Sequence, residues 1–219
     1  MRYLPGYLAT VAPQVDGIVA LDDGSVDGSR QFLASRPEVI ELLEVPPDRP
    51  RWDEVGNHRR LLEAALRHRA DWLLCVDADE RLERAFRDRA ERVIRRGRLL
   101  GYSAFAVRMR ELWNSRYTYR SDGIWGGKTR LRLFRARADH QVDENPVHAM
   151  KAPLQARWAL ADLEMYHLRM IQAEDRWARR RRYEMLDPDC RWQPGGYAYL
   201  TDENGLTLRP VPPGRGFAE

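Results

Sequence analysis

A short apolar run that ends in three carboxylates constrains the fold of this chain more than any other feature. Residues Trp72 to Val76 are all apolar, and Asp77, Asp79 and Glu80 follow almost at once. Five successive apolar residues are typical of a strand buried on both faces of a sheet. The carboxylates then stand at the carboxyl end of that strand, which is where open α/β sheets bind their ligands.

Asp77 and Asp79 are two residues apart, so an extended chain places their side chains on the same side. Neighbouring carboxylates repel one another unless a cation, a proton or an arginine lies among them. The pair suits Mg²⁺ or Mn²⁺, since hard cations prefer oxygen ligands and often bridge to a substrate's phosphates. A second interpretation stays open, because either aspartate can instead cap a helix that begins near Arg81.

An earlier segment repeats the pattern of a strand followed by carboxylates. Gly17 to Leu21 form a short apolar run, and Asp22, Asp23 and a Gly/Ser-rich turn up to Ser29 follow it. Glycines let backbone amides approach a ligand, and the start of the next helix favours anions. The two aspartates suit the ribose hydroxyls or the base of a nucleotide, from which carboxylates accept hydrogen bonds. Taken alone, the segment is also compatible with an ordinary turn.

Hydrophobic periodicity predicts alternating helices and strands over the first hundred residues. The predicted helices span 3–15, 30–36, 54–69 and 81–96, and the predicted strands span 17–21, 39–45 and 72–76. This order predicts an α/β fold with a mostly parallel sheet covered by helices on both faces. Further strands are predicted at 102–112, 129–135 and 158–165, and a charged helix at 169–186. We expect one domain over 1–186, with an extension over 187–219 packed on it.

The charge of the chain restricts its partners. Its 37 basic residues outnumber 33 acidic ones, and nearly all are arginine, whose fixed fork of donors suits phosphate. This favours a phosphorylated ligand. Nucleic acid is a less specific alternative, motivated by a pI of about 9.3 and by Arg179–Arg182, but the interleaved acidic residues argue against it. The four arginines are expected to be mainly a solvated surface, with one or two able to reach a diphosphate.

The apolar runs also indicate where the protein resides. None reaches the 18 residues of a membrane span, and a cysteine in a buried run, Cys75, is typical of a reducing compartment. We therefore expect a cytoplasmic protein, with peripheral contact at the inner face of the membrane as an additional option.

An aromatic, Gly-rich loop is predicted between residues 113 and 127. Loops of this length are usually functional in compact domains. Trp113 and Trp125 in this loop either stack against sugar rings or fill the core, and the sequence alone leaves both interpretations open.

The order of these motifs resembles that of the family-2 glycosyltransferases, which have the type-A nucleotide-sugar fold. The resemblance rests on Leu21–Ser29 and on Val76–Glu80 about fifty residues later. Three further matches follow: Arg130–Arg135, then Val147 with His148, then His167 before a charged helix that ends at Arg182-Tyr183. This order is similar to the branch that extends lipopolysaccharide cores and related glycans, and the likeness covers about residues 17 to 183.

The resemblance implies an inverting transfer of a sugar from a nucleotide-diphosphate donor to a glycan, a lipid-linked or a small-molecule acceptor. By this resemblance Asp22 and Asp23 hold the nucleoside, with Ser25 and Asp27 beside them. Asp79, helped by Asp77, binds Mg²⁺ or Mn²⁺ at the diphosphate. His167 either completes the metal site or is a satisfied core residue.

An inverting transfer also needs a base that accepts the proton of the acceptor hydroxyl. Here the chain departs from the family, because Gly127 and Lys128 replace a carboxylate before the Arg-Leu-Phe-Arg strand and Ala149 replaces a glutamate. The remaining candidates are Asp143, Glu144 and Asp122, of which we favour Glu144. Each is alternatively a carboxylate that only stabilises a turn.

The chain departs from the family a second time at its beginning. The family opens with a strand that carries an Asn-Glu-Glu type motif and helps to bind the base, whereas this chain begins in the helix that follows. We therefore expect the first strand to be missing, which would expose a sheet edge and weaken donor binding. A nucleotide-sugar-binding module of the same fold with impaired catalysis is accordingly the alternative function.

Overall fold

The computed structural model describes residues 1–46, 48, 53–145 and 149–218. Its helices are α1 (Leu4–Val11), α2 (Ser29–Ala34), α3 (Glu54–Arg67), α4 (Phe86–Leu99), α5 (Gly123–Gly126) and α6 (Ala173–Leu186). Its strands are β1 (Ile18–Asp23), β2 (Val39–Val45), β3 (Trp72–Leu74), β4 (Glu80–Leu82), β5 (Ala104–Glu111), β6 (Thr118–Arg120), β7 (Thr129–Arg135), β8 (Trp158–His167) and β9 (Leu208–Pro210). Among the described residues, no helix is both long and apolar enough to cross a membrane.

The described strands form three sheets. The largest has five strands in the order β3-β7-β5-β8-β4, in which β5 and β8 are parallel and the other three pairs are antiparallel. Strands β1 and β2 form a separate parallel pair, and β6 and β9 form an antiparallel pair. The expectation of a mostly parallel sheet covered by helices on both faces is therefore wrong, because the main sheet is mixed and mostly antiparallel.

The reason lies in the second half of the chain. Helix–strand alternation forces parallel pairing only where a helix crosses between two neighbouring strands, and the described part of the chain realises this directly for β1 and β2. Strand β7 instead returns between β3 and β5 and runs antiparallel to both. It occupies one edge of β3, and the other edge of β3 is not hydrogen-bonded to β1 in the described structure.

The predicted helix over 81–96 begins later than expected. Residues 80–82 form β4, which pairs with the end of β8, and α4 starts only at Phe86. Arg81 is buried within this short strand and donates hydrogen bonds to the carbonyls of Ala78, Glu80 and Tyr3. These bonds give partners to both terminal nitrogens of the buried guanidinium, whose burial would otherwise be costly.

The main hydrophobic core lies between α1, α4 and one face of the five-stranded sheet. Its fully buried members include Phe86, Val107, Leu163 and Met165. This core fixes the position of β3, because Trp72 and Leu74 of this strand and Val76 just after it pack against it as partly buried residues.

A glycine of α4 allows close packing in this core. A Cβ atom built on Gly97 would meet the ring of Phe105 well inside van der Waals distance. We therefore expect Gly97→Ala to lower the free energy of unfolding by about 1–3 kcal/mol, measured by urea denaturation, because overpacking forces side chains and backbone to shift. Gly195→Ala is the matched control, since a Cβ atom added to Gly195 would have nothing within 4 Å, and an equal effect of both variants would contradict this account.

The aromatic loop contributes to a second core. Trp113 and Trp125 are 0% and 3% exposed, and they pack with Met170, Tyr197 and Leu200. The interpretation of both tryptophans as core residues is confirmed, and neither offers a free face on which a sugar ring could stack.

Residues 187–218 pack on the rest of the chain. Strand β9 pairs with β6, and Arg215 donates to both carboxylate oxygens of Glu83, which is 0% exposed. The hydroxyl of Tyr166 donates to the carbonyl of Arg215 over 2.8 Å. The last segment therefore neutralises a carboxylate that lies inside the main domain.

Candidate active site

A cleft of about 1590 Å³ lies between β1 and β3, and we call it the central cleft. One wall is formed by α1 and α4, and the other by α3, through residues such as Val11, Ile94 and Leu62. Ile18 and Val19 of β1 line it on one side and the residues of β3 on the other. At one end the central cleft reaches charged residues that follow β3 and those on β5, β7, β8 and α6.

The carboxylates that follow β3 are held by an arginine from the neighbouring strand. Arg132 of β7 donates through Nη2 to Asp77 over 3.0 Å and to Glu80 over 2.6 Å. The other oxygen of Glu80 accepts the backbone N–H of Asp77 over 2.8 Å. Glu80 is buried, whereas the Asp77 side chain is 59% exposed and borders the cleft. Arg132 therefore supplies the cation that the sequence pattern required among these carboxylates.

Asp79 belongs to a second network of charged side chains, in which negative and positive groups alternate. Its Oδ2 lies 3.3 Å from Nε2 of His167, at the end of β8. Nδ1 of His167 lies 2.5 Å from Glu111, at the end of β5, and Glu111 also pairs with Lys128. All four side chains border the central cleft. The ends of three strands thus bring Asp79, His167 and Glu111 together.

The pKa shifts follow from burial and from this pairing. Burial disfavours the charged forms, but His167 lowers the pKa of Asp79 to about 2. Burial likewise disfavours protonated His167, but Glu111 and Asp79 raise its pKa to about 9. His167 and Lys128 together hold the pKa of Glu111 well below its usual range against the effect of burial. At neutral pH this network of charged side chains therefore contains two carboxylates, Asp79 and Glu111, bridged by the protonated imidazole of His167.

Further cationic groups surround this network of charged side chains. Nη1 of Arg179 lies 3.4 Å from both ring nitrogens of His167, and Nη1 of Arg169 lies 4.0 Å from Asp79. Within the described structure, Nε and Nη1 of the buried Arg132 have no hydrogen-bond partner. These two donors are enclosed by protein, but Arg169 and Arg179 border the cleft, so this end of the cleft is suited to an anionic ligand rich in oxygen atoms.

The two aspartates that end β1 differ in their surroundings. Asp23 borders the central cleft and accepts a hydrogen bond from Asn57 of α3 over 3.0 Å. Asp22 is 4% exposed and accepts from the backbone N–H of Ser25 and from Nε of Arg30. Asp22 is not among the described residues that line the cleft. The structure therefore brings Asp23, Asp77 and Asp79 to one cleft and places Asp22 behind it, as a support for the turn.

The remaining residues of the predicted nucleotide site lie farther along this turn. Ser25 and Asp27 are exposed. Asp27 accepts hydrogen bonds from the backbone N–H and the hydroxyl of Ser29, and it pairs with the amino group of Met1. Neither Ser25 nor Asp27 is among the described lining residues of the central cleft.

The three predicted base residues each bind nearby protein groups. Glu144 is exposed and pairs with Arg59 of α3. Asp143 accepts the backbone N–H groups of Asn145 and Met150. In the described structure, none of these carboxylates borders the central cleft. Asp122 likewise stays near its own turn, where it pairs with Arg120 and accepts the N–H of Thr207. Val147 and His148, which carry part of the resemblance, lie outside the described residues.

Asp77 and Asp79 are the residues that fit a divalent cation. Among the described residues, no group of three or more His, Cys, Asp or Glu side chains is arranged to hold a metal. Mg²⁺ commonly binds to one or two carboxylates and completes its shell with water and substrate phosphates, so it does not need such a group. His167 would have to lose a proton before it could act as a ligand, since both of its ring nitrogens face carboxylates.

Sequence reasoning missed several residues of this site. Glu111 stands at the end of β5, and Arg179 of the four-arginine run contacts His167. Arg132 alternates with Leu131 and Leu133 on β7, which marks it as facing opposite to them. A signal for Glu111 was available, because it is a carboxylate near the end of the predicted strand over 102–112, close to where Asp77 and Asp79 stand relative to theirs.

A buried histidine of α3 makes stability depend on pH. Burial lowers the pKa of His58 to about 4, against about 6.5 in an unfolded chain. Between these values the unfolded state binds more protons, so the free energy of unfolding should fall by about 2–3 kcal/mol as the pH drops from 6.5 to 4. Urea denaturation of His58→Gln should show a flatter pH dependence than the wild type. A slope equal to that of the wild type would contradict this account.

Comparisons of the sequence with models of protein families and with curated proteins find no match.

Proposed function

We propose that this protein is an inverting, metal-dependent glycosyltransferase of the family-2 type. It would move a hexosyl or related sugar from a nucleotide-diphosphate donor to a glycan, a lipid-linked or a small-molecule acceptor. The observation that carries the proposal is that Asp23, Asp77 and Asp79, from the ends of two different strands, border one cleft together with several arginines.

The charges of the cleft fit such a donor. Asp23 accepts hydrogen bonds and therefore suits the ribose hydroxyls of the nucleotide. Arg179 and Arg169, which border the cleft beside His167 and Asp79, suit the oxygens of the diphosphate. Negative charge grows on the diphosphate as the sugar leaves, so fixed cations at this position lower the barrier.

Asp77 and Asp79 would hold Mg²⁺ or Mn²⁺, whose charge stabilises the leaving diphosphate. Arg132 orients Asp77, and His167 orients Asp79, through the hydrogen bonds described above. Both carboxylates therefore keep fixed positions, which favours transfer over a loosely held donor.

A thermal-shift screen tests this function directly. UDP, GDP, CDP and their sugar conjugates are each added with and without Mn²⁺ or Mg²⁺. At a concentration one hundred times Kd, a ligand of the folded state adds about 2.7 kcal/mol, which should raise the melting temperature of a chain of this size by about 5 °C or more. A rise that requires the cation supports the proposal, whereas no rise with any nucleotide in either condition contradicts it.

The alternative is a nucleotide-sugar-binding module with impaired catalysis. It is favoured by one observation, namely that the three predicted base residues make local contacts away from the central cleft. Such a module would show the cation-dependent thermal shift but would not release nucleotide diphosphate from the donor across a panel of acceptors. Donor turnover measured with the ligand found in the screen separates the two functions.

A further inference from the structure

Two strand edges face the central cleft without a partner strand. Within the described residues, β1 pairs only with β2, and β3 pairs only with β7. Residues of both strands, Ile18 and Val19 on one side and Trp72 to Leu74 on the other, line the same cleft. Unpaired backbone N–H and C=O groups along a strand edge are a template for a further strand.

The two edges run in the same direction. Arg67, near the end of α3, pairs with Glu41 at the start of β2, and Arg60 donates to the carbonyl of Glu44 near its end. Helix α3 therefore runs antiparallel to β2 and to its parallel neighbour β1. The chain then turns within residues 68–71 into β3, which runs back alongside β1. A strand placed between them would be parallel to both, which is the usual arrangement in sheets flanked by helices.

The walls of the cleft are apolar and incompletely buried. Leu61, Val15 and Ile94 line it from the helices, and all three are only partly buried. The apolar run from Trp72 to Val76 is likewise only partly buried, although its composition is that of a strand covered on all sides. Burial of apolar surface stabilises a protein by about 25 cal/mol per Å², and surface that stays in contact with water does not contribute this stabilisation.

Two side-chain atoms of the lining residues also lack partners. Nε1 of Trp72 and Nε2 of His58 are buried, and in the described structure neither makes a hydrogen bond. Buried polar groups are nearly always paired. Both atoms are already covered by protein, so an occupant that carries hydrogen-bonding groups is inferred from the two strand edges that are unpaired within the described residues.

We propose that the central cleft binds one extended apolar peptide segment, which pairs as a parallel strand with β1 on one edge and with β3 on the other. The occupant must be a polypeptide because backbone amides and carbonyls repeat at the spacing of both edges, which no simple apolar ligand reproduces. Its side chains should be apolar on both faces, since helices cover both. Six residues, the length of β1, span about 20 Å.

The segment joins the two sheets into one. Its insertion would produce the continuous order β2-β1-peptide-β3-β7-β5-β8-β4. The charged end of the cleft stays open, because Asp23, Asp77 and Asp79 lie beyond the carboxyl ends of the strands. This inference does not depend on sugar transfer, and its test contains no nucleotide.

Hydrogen exchange with a defined probe tests the proposal. The probe is the peptide acetyl-Lys-Val-Ile-Val-Val-Val-Lys-amide, added to the full chain, and exchange is followed by mass spectrometry. We expect amide exchange in segments 18–23 and 72–76 to slow by about tenfold or more, because both edges become hydrogen-bonded. The edges of β6 and β9 serve as an internal reference and should not change.

Two N-methylated versions of the probe provide the control. One carries N-methyl groups at the odd positions and the other at the even positions, so that each blocks the hydrogen bonds to one of the two edges. Neither methylated peptide should slow amide exchange in segments 18–23 and 72–76. Equal protection by all three peptides would show that apolar filling, not strand pairing, drives binding, and protection of β6 and β9 alone, or of no segment, would also overturn the proposal.

Discussion

Replacing Asp79 with asparagine is expected to lower kcat/KM for sugar transfer by at least about a hundredfold. Asparagine keeps the shape of the side chain and removes its charge, which the cation and the protonated His167 both need. The variant should also lose the cation-dependent part of the thermal shift caused by a nucleotide diphosphate. Transfer is measured with the donor identified in the nucleotide screen, and the thermal shift is measured in parallel.

The matched control is Asp139→Asn. Asp139 pairs with Arg137 at the surface, and its side chain is 62% exposed, so its removal should change neither kcat/KM nor the thermal shift. The melting temperature of Asp79→Asn without ligand shows whether the fold is retained. A folded Asp79→Asn protein that keeps both the cation-dependent shift and full transfer would rule out the proposed metal site.

Replacing Glu111 with alanine should lower the free energy of unfolding by about 3–5 kcal/mol at pH 7. Glu111 is 1% exposed and pairs with both Lys128 and His167. Without it, the largely buried cationic groups of Lys128 and His167 lose their shared counter-charge, and Arg179 beside His167 adds to the repulsion. Urea denaturation followed by circular dichroism measures the loss.

Glu144→Ala is the control for this prediction. Its carboxylate also pairs with an arginine, Arg59, but the Glu144 side chain is 76% exposed, and exposed pairs contribute about 0–1 kcal/mol. The less drastic Glu111→Gln should lower the free energy of unfolding by an amount between those of Glu111→Ala and Glu144→Ala, since an amide still offers one acceptor. Similar unfolding free energies for Glu111→Ala and Glu144→Ala would mean that the buried charge chain does not stabilise the protein.

Local sequence patterns were sufficient for much of the secondary structure. Strands β2 and β7 occupy the predicted residues 39–45 and 129–135, and α3 and α6 end close to their predicted bounds. These elements have regular apolar spacing, which depends only on neighbouring residues. The three carboxylates predicted at the ends of β1 and β3, Asp23, Asp77 and Asp79, also meet at one cleft.

Pairing between distant strands could not be predicted in the same way. The sequence of β3 is equally suited to a neighbour on either side, and which edge is occupied depends on β7, about sixty residues later. The roles of Arg132 and Glu111 depend on that pairing, since β7 and β5 carry them to the end of β3. Asp22, in contrast, was predicted as a site residue but is not among the described residues that line the cleft. Its place after a strand did not reveal that Arg30 would bind it away from the cleft.

The contact between Arg215 and Glu83 has a consequence for biosynthesis. Glu83 lies inside the domain, and its guanidinium partner is encoded 132 residues later. Arg89 also lies near Glu83, with its Nε 3.8 Å from Oε2, but the closer partner Arg215 joins a growing polypeptide only after residue 215 has emerged from the exit tunnel. Ribosome-bound intermediates that stop before Arg215 should therefore lack this contact and be more sensitive to proteases than intermediates that include it.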